Sequence, residues 1–257
     1  PDRPRGTAMI RPLSRAAAFA LLLVLAGCEG LSPPQPVAAV SATCAVPANL
    51  RPARPYDPPA DEIVRDVETA YYLLAVSWSP QACRSGKDYP DPDLQCRDNR
   101  FGLTLHGLWP NGPDRRHPRY CGPAPALPPE TVRANFCMTP SPRLMQHEWA
   151  AHGTCGWSSP EAYFGQAAML WNDLNRPDLE AIPAGHLTAG RVRDAFVHAN
   201  PGLPRGAVIV VLAEDDWLRE VRLCHSTNYA PMACPHGNGP SDRRRIRLAP
   251  TGTATAR

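Results

Sequence analysis

Residues 100–110 read RFGLTLHGLWP. Leu103 and Leu105 alternate with Thr104 and His106, the period of a strand with one buried face. His106 then falls near the strand's end, opposite the leucines. Upstream, YYLLAVSWSP (71–80) reads as another strand, ended by Pro80. Downstream, AVIVVLA (207–213) and WLREVRLCHS (217–226) add two more; in the second, Leu218, Val221 and Leu223 give a rough apolar face. RRRIRLAP (243–250) reads as a last edge strand with solvated arginines. Three helical patterns fill the spaces. One runs from Pro129 through Val132 towards Phe136. SPEAYFGQAAMLWNDLN (159–175) has Ser159 as N-cap and Pro160 at the first helical position. LTAGRVRDAFVHANPG (187–202) has Thr188 as N-cap and stops at Asn200-Pro201-Gly202. This irregular order predicts an α+β domain, a central mostly antiparallel sheet packed with helices, rather than a doubly wound parallel sheet.

The flanks carry a different signal. Met9 opens a leader-like stretch: Arg11 and Arg15 form a positive region, and Ala16–Ala26 is an apolar run too short for a comfortable membrane span. Ala26 and Gly27 precede Cys28, which resembles the lipobox of bacterial lipoproteins, where the cysteine is lipidated; ordinary cleavage nearby, releasing a soluble protein, is the alternative. Either way the chain is exported, to the periplasm or to a membrane through a lipid. Of 32 prolines, 11 precede residue 61, so this part is not expected to form a core. The expected division is a leader over 1–27, a Pro/Ala-rich tether over 28–60, a domain over 61–250 and a tail over 251–257. The net charge of +3 is too mild to identify a polyanion partner by itself. Setting Cys28 aside, eight cysteines remain, an even number that in an exported chain implies a disulfide-stapled fold. No C-x-x-C pair occurs, which speaks against a zinc ribbon.

LMQHEWAAHGTC (144–155) concentrates the chemistry. It begins like the H-E-x-x-H zinc motif, but His147 and His152 are five apart, roughly 140° around a helix, and would not converge on one ion. Glu148 and His152, at i and i+4, share a face. The expectation is a helix from about 143 to 152, ended by Gly153, on which Glu148 orients His152 and raises its pKa. A lone histidine is usually structural, and His186, His198, His225 and His236 are read as solvated or loop residues. His106 from a distant strand changes the odds. Two histidines from separate segments offer a base and an acid, which in-line cleavage of a phosphodiester by its own neighbouring hydroxyl requires, with no metal or other cofactor.

FGLTLHGLWPN and HEWAAHGTC resemble the two signature segments of the ribonuclease T2 family, in the family's order and spacing. SWSPQAC, ANPGLP and the late cysteine pair agree, and the likeness spans about residues 70 to 250. The resemblance implies an endonuclease for single-stranded RNA that leaves 2′,3′-cyclic phosphate ends and acts as a monomer. It implies His152 as general base, His106 as general acid, Glu148 as supporting carboxylate and His147 as phosphate ligand. Trp109, Asn111 and His117 fall where the family binds the base, with low base specificity expected. It implies a Cys121–Cys155 bridge; Cys224–Cys234 reads as a hairpin clasp, and the pairing of Cys44, Cys83, Cys96 and Cys137 stays open, with Cys83–Cys96 and Cys44–Cys137 one arrangement. One departure stands out: Ala151 occupies the family's usual lysine position. Arg115 or Arg116 is the expected substitute, and restoring lysine at 151 is expected to raise turnover. The rival readings are a metal hydrolase, which the spacing opposes, and a non-catalytic RNA-binding lipoprotein.

Overall fold

The computed structural model describes residues 44–85 and 91–251. The leader, Cys28, the first part of the tether and the end of the tail lie outside the described residues. The first strand, β1 (Tyr71–Trp78), sits inside a four-stranded sheet with β2 (Leu103–Asn111), β3 (Val208–Leu212) and β4 (Leu218–His225). The strand order is β2-β1-β4-β3 and every pairing is antiparallel. Alternation along β1 sends Tyr72, Leu74, Val76 and Trp78 to one face, where they meet Leu105, Leu108, Val210, Val221 and Leu223 in the main core. Helices α5 (Pro160–Asp173) and α6 (Ala189–Ala199) close this face with Tyr163, Phe164, Trp171, Val192 and Phe196. Each large apolar side chain buried here contributes roughly 1.5–3 kcal/mol. The opposite face carries only a small cluster of Tyr71, Leu73 and Cys224 with Trp109 packed on it, and the polar residues of the sheet stand there.

The expected helices are present with their expected caps. The hydroxyls of Ser159 and Thr188 accept from Ala162 N–H and Arg191 N–H. Helix α3 (Pro129–Asn135) and helix α4 (Pro142–Ala151) also begin with proline in the first turn, where its missing N–H costs nothing. The α4 cap is Ser141, which accepts from Leu144 N–H at 3.0 Å. Two short helices were not legible: α1 (Ser79–Ser85) starts within the stretch read as the end of a strand, and α2 (Pro92–Cys96) follows. Pro80 does not simply stop β1; it sits in the first turn of α1, a position proline tolerates.

RRRIRLAP is not an edge strand. Arg245 and Arg247 make isolated bridges to Thr188 and Trp217, each a different partner, so no continuous ladder forms. His225 is also corrected: it ends β4 and is buried, with Nδ1 at 3.1 Å from Leu223 O. The cysteines pair as Cys44–Cys137, Cys83–Cys96, Cys121–Cys155 and Cys224–Cys234. The first bridge moves the domain's start: residues 44–60, expected in the tether, run along the domain. Ala45 N–H donates to Asn99 Oδ1 at 2.8 Å and Arg133 donates to Pro47 O at 2.8 Å.

Candidate active site

His106 is the residue that β2 does not pair. Gly107 stands opposite Ala75 and Leu105 opposite Val76, so His106 is the extra residue of a bulge. Strict alternation would send His106 and Trp109 to opposite faces. The bulge shifts the register by one and brings both to the open face, their rings 5.0 Å apart.

Two carboxylates hold His106. Its Nδ1 lies 2.6 Å from Glu220 Oε2 on β4, and its Nε2 lies 3.5 Å from Glu148 Oε1 on α4. Both carboxylates are 1% exposed. Burial alone would lower the His106 pKa, but Glu148 and Glu220 outweigh it and the net shift is upward. Glu220 stays ionised: burial opposes its charge, yet His106 and Arg222 pull its pKa down to about 2. Glu148 moves the other way, pushed up to about 7 by burial despite His106 and the Trp109 N–H. That indole N–H donates to Glu148 Oε2 at 2.6 Å.

His152 behaves differently from its expectation. Glu148 turns to Trp109 and His106 rather than to His152, which caps α4 at φ −124°, ψ −44° with its N–H still donating to Glu148 O at 3.0 Å. Its pKa is lowered well below 6.5, first by burial and then by His147, Arg119, His106 and His117. Its ring lies 5.3 Å from that of Trp109, and its buried Nδ1 has no hydrogen-bond partner among the described residues. One indole thus touches two imidazoles, one favoured as a cation and one held neutral.

His147 faces a separate wall, with its ring 5.3 Å from Tyr56 and 6.2 Å from Tyr120. Burial, then His106 and Arg119, lower its pKa. His147, Glu148 and His152 therefore meet different partners. Among the described residues, no group of three or more His, Cys, Asp or Glu side chains is arranged to hold a metal ion. Asn111 is buried and donates to Trp109 O at 2.9 Å. Half-buried His117 has its pKa lowered by desolvation and, after that, by Arg119 and Arg222. Trp109 is not an open platform on both faces, since the Arg222 guanidinium lies 4.7 Å from its ring centre.

Ala151 is fully buried against Tyr120, whose N–H donates to Ala151 O at 3.0 Å. Arg116 pairs with Asp66 and Arg115 is exposed. Arg119 is the arginine whose charge acts on His147, Glu148 and His152. The sequence reading also missed Glu220, Arg222 and Tyr56. For Glu220 a signal existed: a carboxylate inside a strand, two residues from an arginine, alternating with Val221 and Leu223. Its partner, His106, is distant in sequence and gave no local hint.

Residues 69–181 match the family model described as the Ribonuclease T2 family. A probable ribonuclease of Haemophilus influenzae is 39% identical over 120 residues, 42% of this chain and 44% of that protein. A ribonuclease of Aeromonas hydrophila is 36% identical over 103 residues, 40% of this chain and 45% of that protein. The chain spans about half the length of the curated relatives it matches or a little less. Among solved structures, trichomaglin, described as an S-like ribonuclease, superposes with a TM-score of 0.55 at 21% identity, covering 71% of this chain and 98% of that one. Actibind, described as a T2 ribonuclease, gives 0.51 at 17% identity, covering 77% and 94%. These likenesses establish the fold. The sequence match falls on the segment that holds both histidine motifs, and over residues 69–181 the chain is similar to the ribonuclease T2 family.

Proposed function

We propose that the chain is an endoribonuclease cleaving single-stranded RNA by metal-independent transphosphorylation. The observation that carries this reading is the pair of imidazoles around Trp109, His106 favoured as a cation and His152 as a neutral ring. His152 takes the proton of the ribose 2′-OH. The 2′-oxygen attacks phosphorus as the bond to the leaving 5′-oxygen breaks, and His106 protonates that oxygen, leaving a 2′,3′-cyclic phosphate. DNA has no 2′-OH and no internal nucleophile. Glu148 supports His106 directly and the phosphorane as a neutral or charged neighbour, His147 donates to a phosphate oxygen, and Trp109, Asn111 and His117 receive the base with little edge reading. The relatives named as ribonucleases support the reaction class.

We also infer an oxidising compartment. Four disulfides are unstable in a reducing cytosol, and the leader-like start agrees. Among the described residues, no helix is long and apolar enough to cross a membrane. A lipid on Cys28 is the proposed anchor, and the chain is proposed to act as a monomer.

The test is incubation of the purified protein with poly(U) and poly(A) in EDTA. Cyclic phosphate ends are expected on both, and loss of both with His106→Phe or His152→Ala. Binding without cleavage by the wild type would overturn the catalytic reading in favour of an RNA-binding lipoprotein. Loss of activity in EDTA would favour a metal hydrolase instead.

A further inference from the structure

Residues 44–60 do more than lead into the domain. Pro52, Pro55, Pro58 and Pro59 keep the segment extended without sheet partners, and the Cys44–Cys137 bridge fixes its start. It passes α4 on the side that carries Arg143 and His147, four residues apart and so on one helix face. The ring of Tyr56 stacks on Tyr120 at 5.7 Å, meets His147 edge-on at 5.3 Å, and is still 39% exposed. Arg54, Tyr56 and Arg143 line one groove of about 440 Å³. Gln146 forms its floor with its amide fully engaged: the oxygen accepts from Leu127 N–H, and the nitrogen donates to Ala124 O and Pro125 O. Arg54 and Arg143 are exposed, and among the described residues neither guanidinium has a hydrogen bond or ion pair. The nearby carboxylates are those of Asp57, which is exposed, Glu62, which pairs with Arg119 and acts on Tyr120 and His147, and Asp91, which accepts from Ser141 Oγ and Arg143 N–H.

An aromatic face flanked by two cations that make no internal pair is the chemistry that holds a single-stranded nucleotide: the base stacks and the phosphate meets a guanidinium. We propose that this groove is a further nucleotide subsite, taking a base on Tyr56 and a phosphate on Arg54 and Arg143, adjacent along the strand to the phosphate at His147. The assignment rests on the ribonuclease reading and extends it to longer RNA. It explains why the proline-rich segment is fastened to the domain: an unfastened tyrosine would lose its entropy advantage on binding.

The experiment compares kcat/KM on an octaribonucleotide with that on a dinucleoside monophosphate, for the wild type, the Arg54→Ser/Arg143→Ser pair and Tyr56→Leu. The expected result is a ratio of long to short substrate that falls about tenfold in each, with Tyr56→Phe close to wild type. Binding of an uncleavable 2′-O-methyl octanucleotide should weaken in parallel. The salt dependence of that binding should flatten in the arginine pair, because fewer counterions are released. Unchanged ratios and unchanged binding overturn the subsite. A rise in activity on removing Tyr56 also overturns it, and marks the segment as an obstruction instead. If the wild type cleaves neither substrate, yet the variants bind the 2′-O-methyl strand more weakly, the ribonuclease reading falls and the subsite stands.

Discussion

Glu220 is a positioning residue on this structure: it touches His106 and no reacting atom. Replacing it with glutamine keeps a hydrogen-bond acceptor at Nδ1 and removes the charge that raises the His106 pKa. Protonated His106 is then lost at lower pH. The alkaline limb of the pH–kcat/KM profile should move towards acid, and activity at pH 8 should fall about tenfold or more. The acid limb, set by His152, should stay in place; an unmoved alkaline limb would exclude Glu220 from this role. Ala151 reverses an expectation. Lysine there would enter a fully buried site against Tyr120 rather than reach a phosphate. Ala151→Lys should therefore lower stability by roughly 1–3 kcal/mol, as overpacking does, without raising turnover. A thermal melt and a rate measurement check both halves.

Strand β2 carries the decisive local irregularity. A β-bulge at His106 puts an imidazole and an indole on one face, and the position after it must be glycine for a reason of space. A Cβ on Gly107 would lie within 2.8 Å of the Glu148 carboxyl carbon and 2.7 Å of Trp109 Nε1. Gly107→Ala should thus displace Glu148, break the Trp109–Glu148 bond and abolish most activity while circular dichroism stays near wild type. Retained activity would mean that Glu148 has room to move without consequence. The alternation of RFGLTLHGLWP made the strand legible, and so was the side of His106. The bulge was not, since it depends on which residues of β1 stand opposite. The α4 segment was legible almost to the residue, with Gly153 marking its end. The partner of Glu148 was not, because Trp109 and His106 come from β2, far from α4 in sequence.

Across the whole molecule, the two buried carboxylates act on stability in opposite senses. Glu220 has a folded pKa near 2 against an ordinary 4.5, so its contribution is present above pH 4.5 and disappears as pH falls towards 2. Glu148 has a folded pKa raised from 4.5 to about 7, so its stabilising share is full below pH 4.5 and is lost as pH rises through about 7. The loss corresponds to roughly 3 kcal/mol at most. Glu148→Gln should therefore be more stable than wild type at pH 8 and nearly equal to it at pH 4, while losing activity. Urea melts at the two pH values check the sign. The Cys44–Cys137 bridge spans 93 residues. In the chain-entropy account, removing it with paired serines should cost about 4–5 kcal/mol, and the melt should shift accordingly.

What the sequence by itself determined is periodic and local: strands and helices with their caps, a disulfide-stapled α+β domain, and two histidine segments with a family resemblance. These follow from short-range sterics, capping and alternation, which each stretch carries within a few residues. Tertiary structure decided which carboxylate meets which imidazole. Glu220 reaches His106 only because β1 lies between β2 and β4 and the bulge turns His106 across it. Glu148 serves His106 rather than His152 because β2 brings Trp109 and His106 against α4. It also decided that residues 44–60 belong to the domain, since a bridge to Cys137 is a contact between distant points of the chain. Such partners are chosen by packing and electrostatics in three dimensions, which no local pattern encodes.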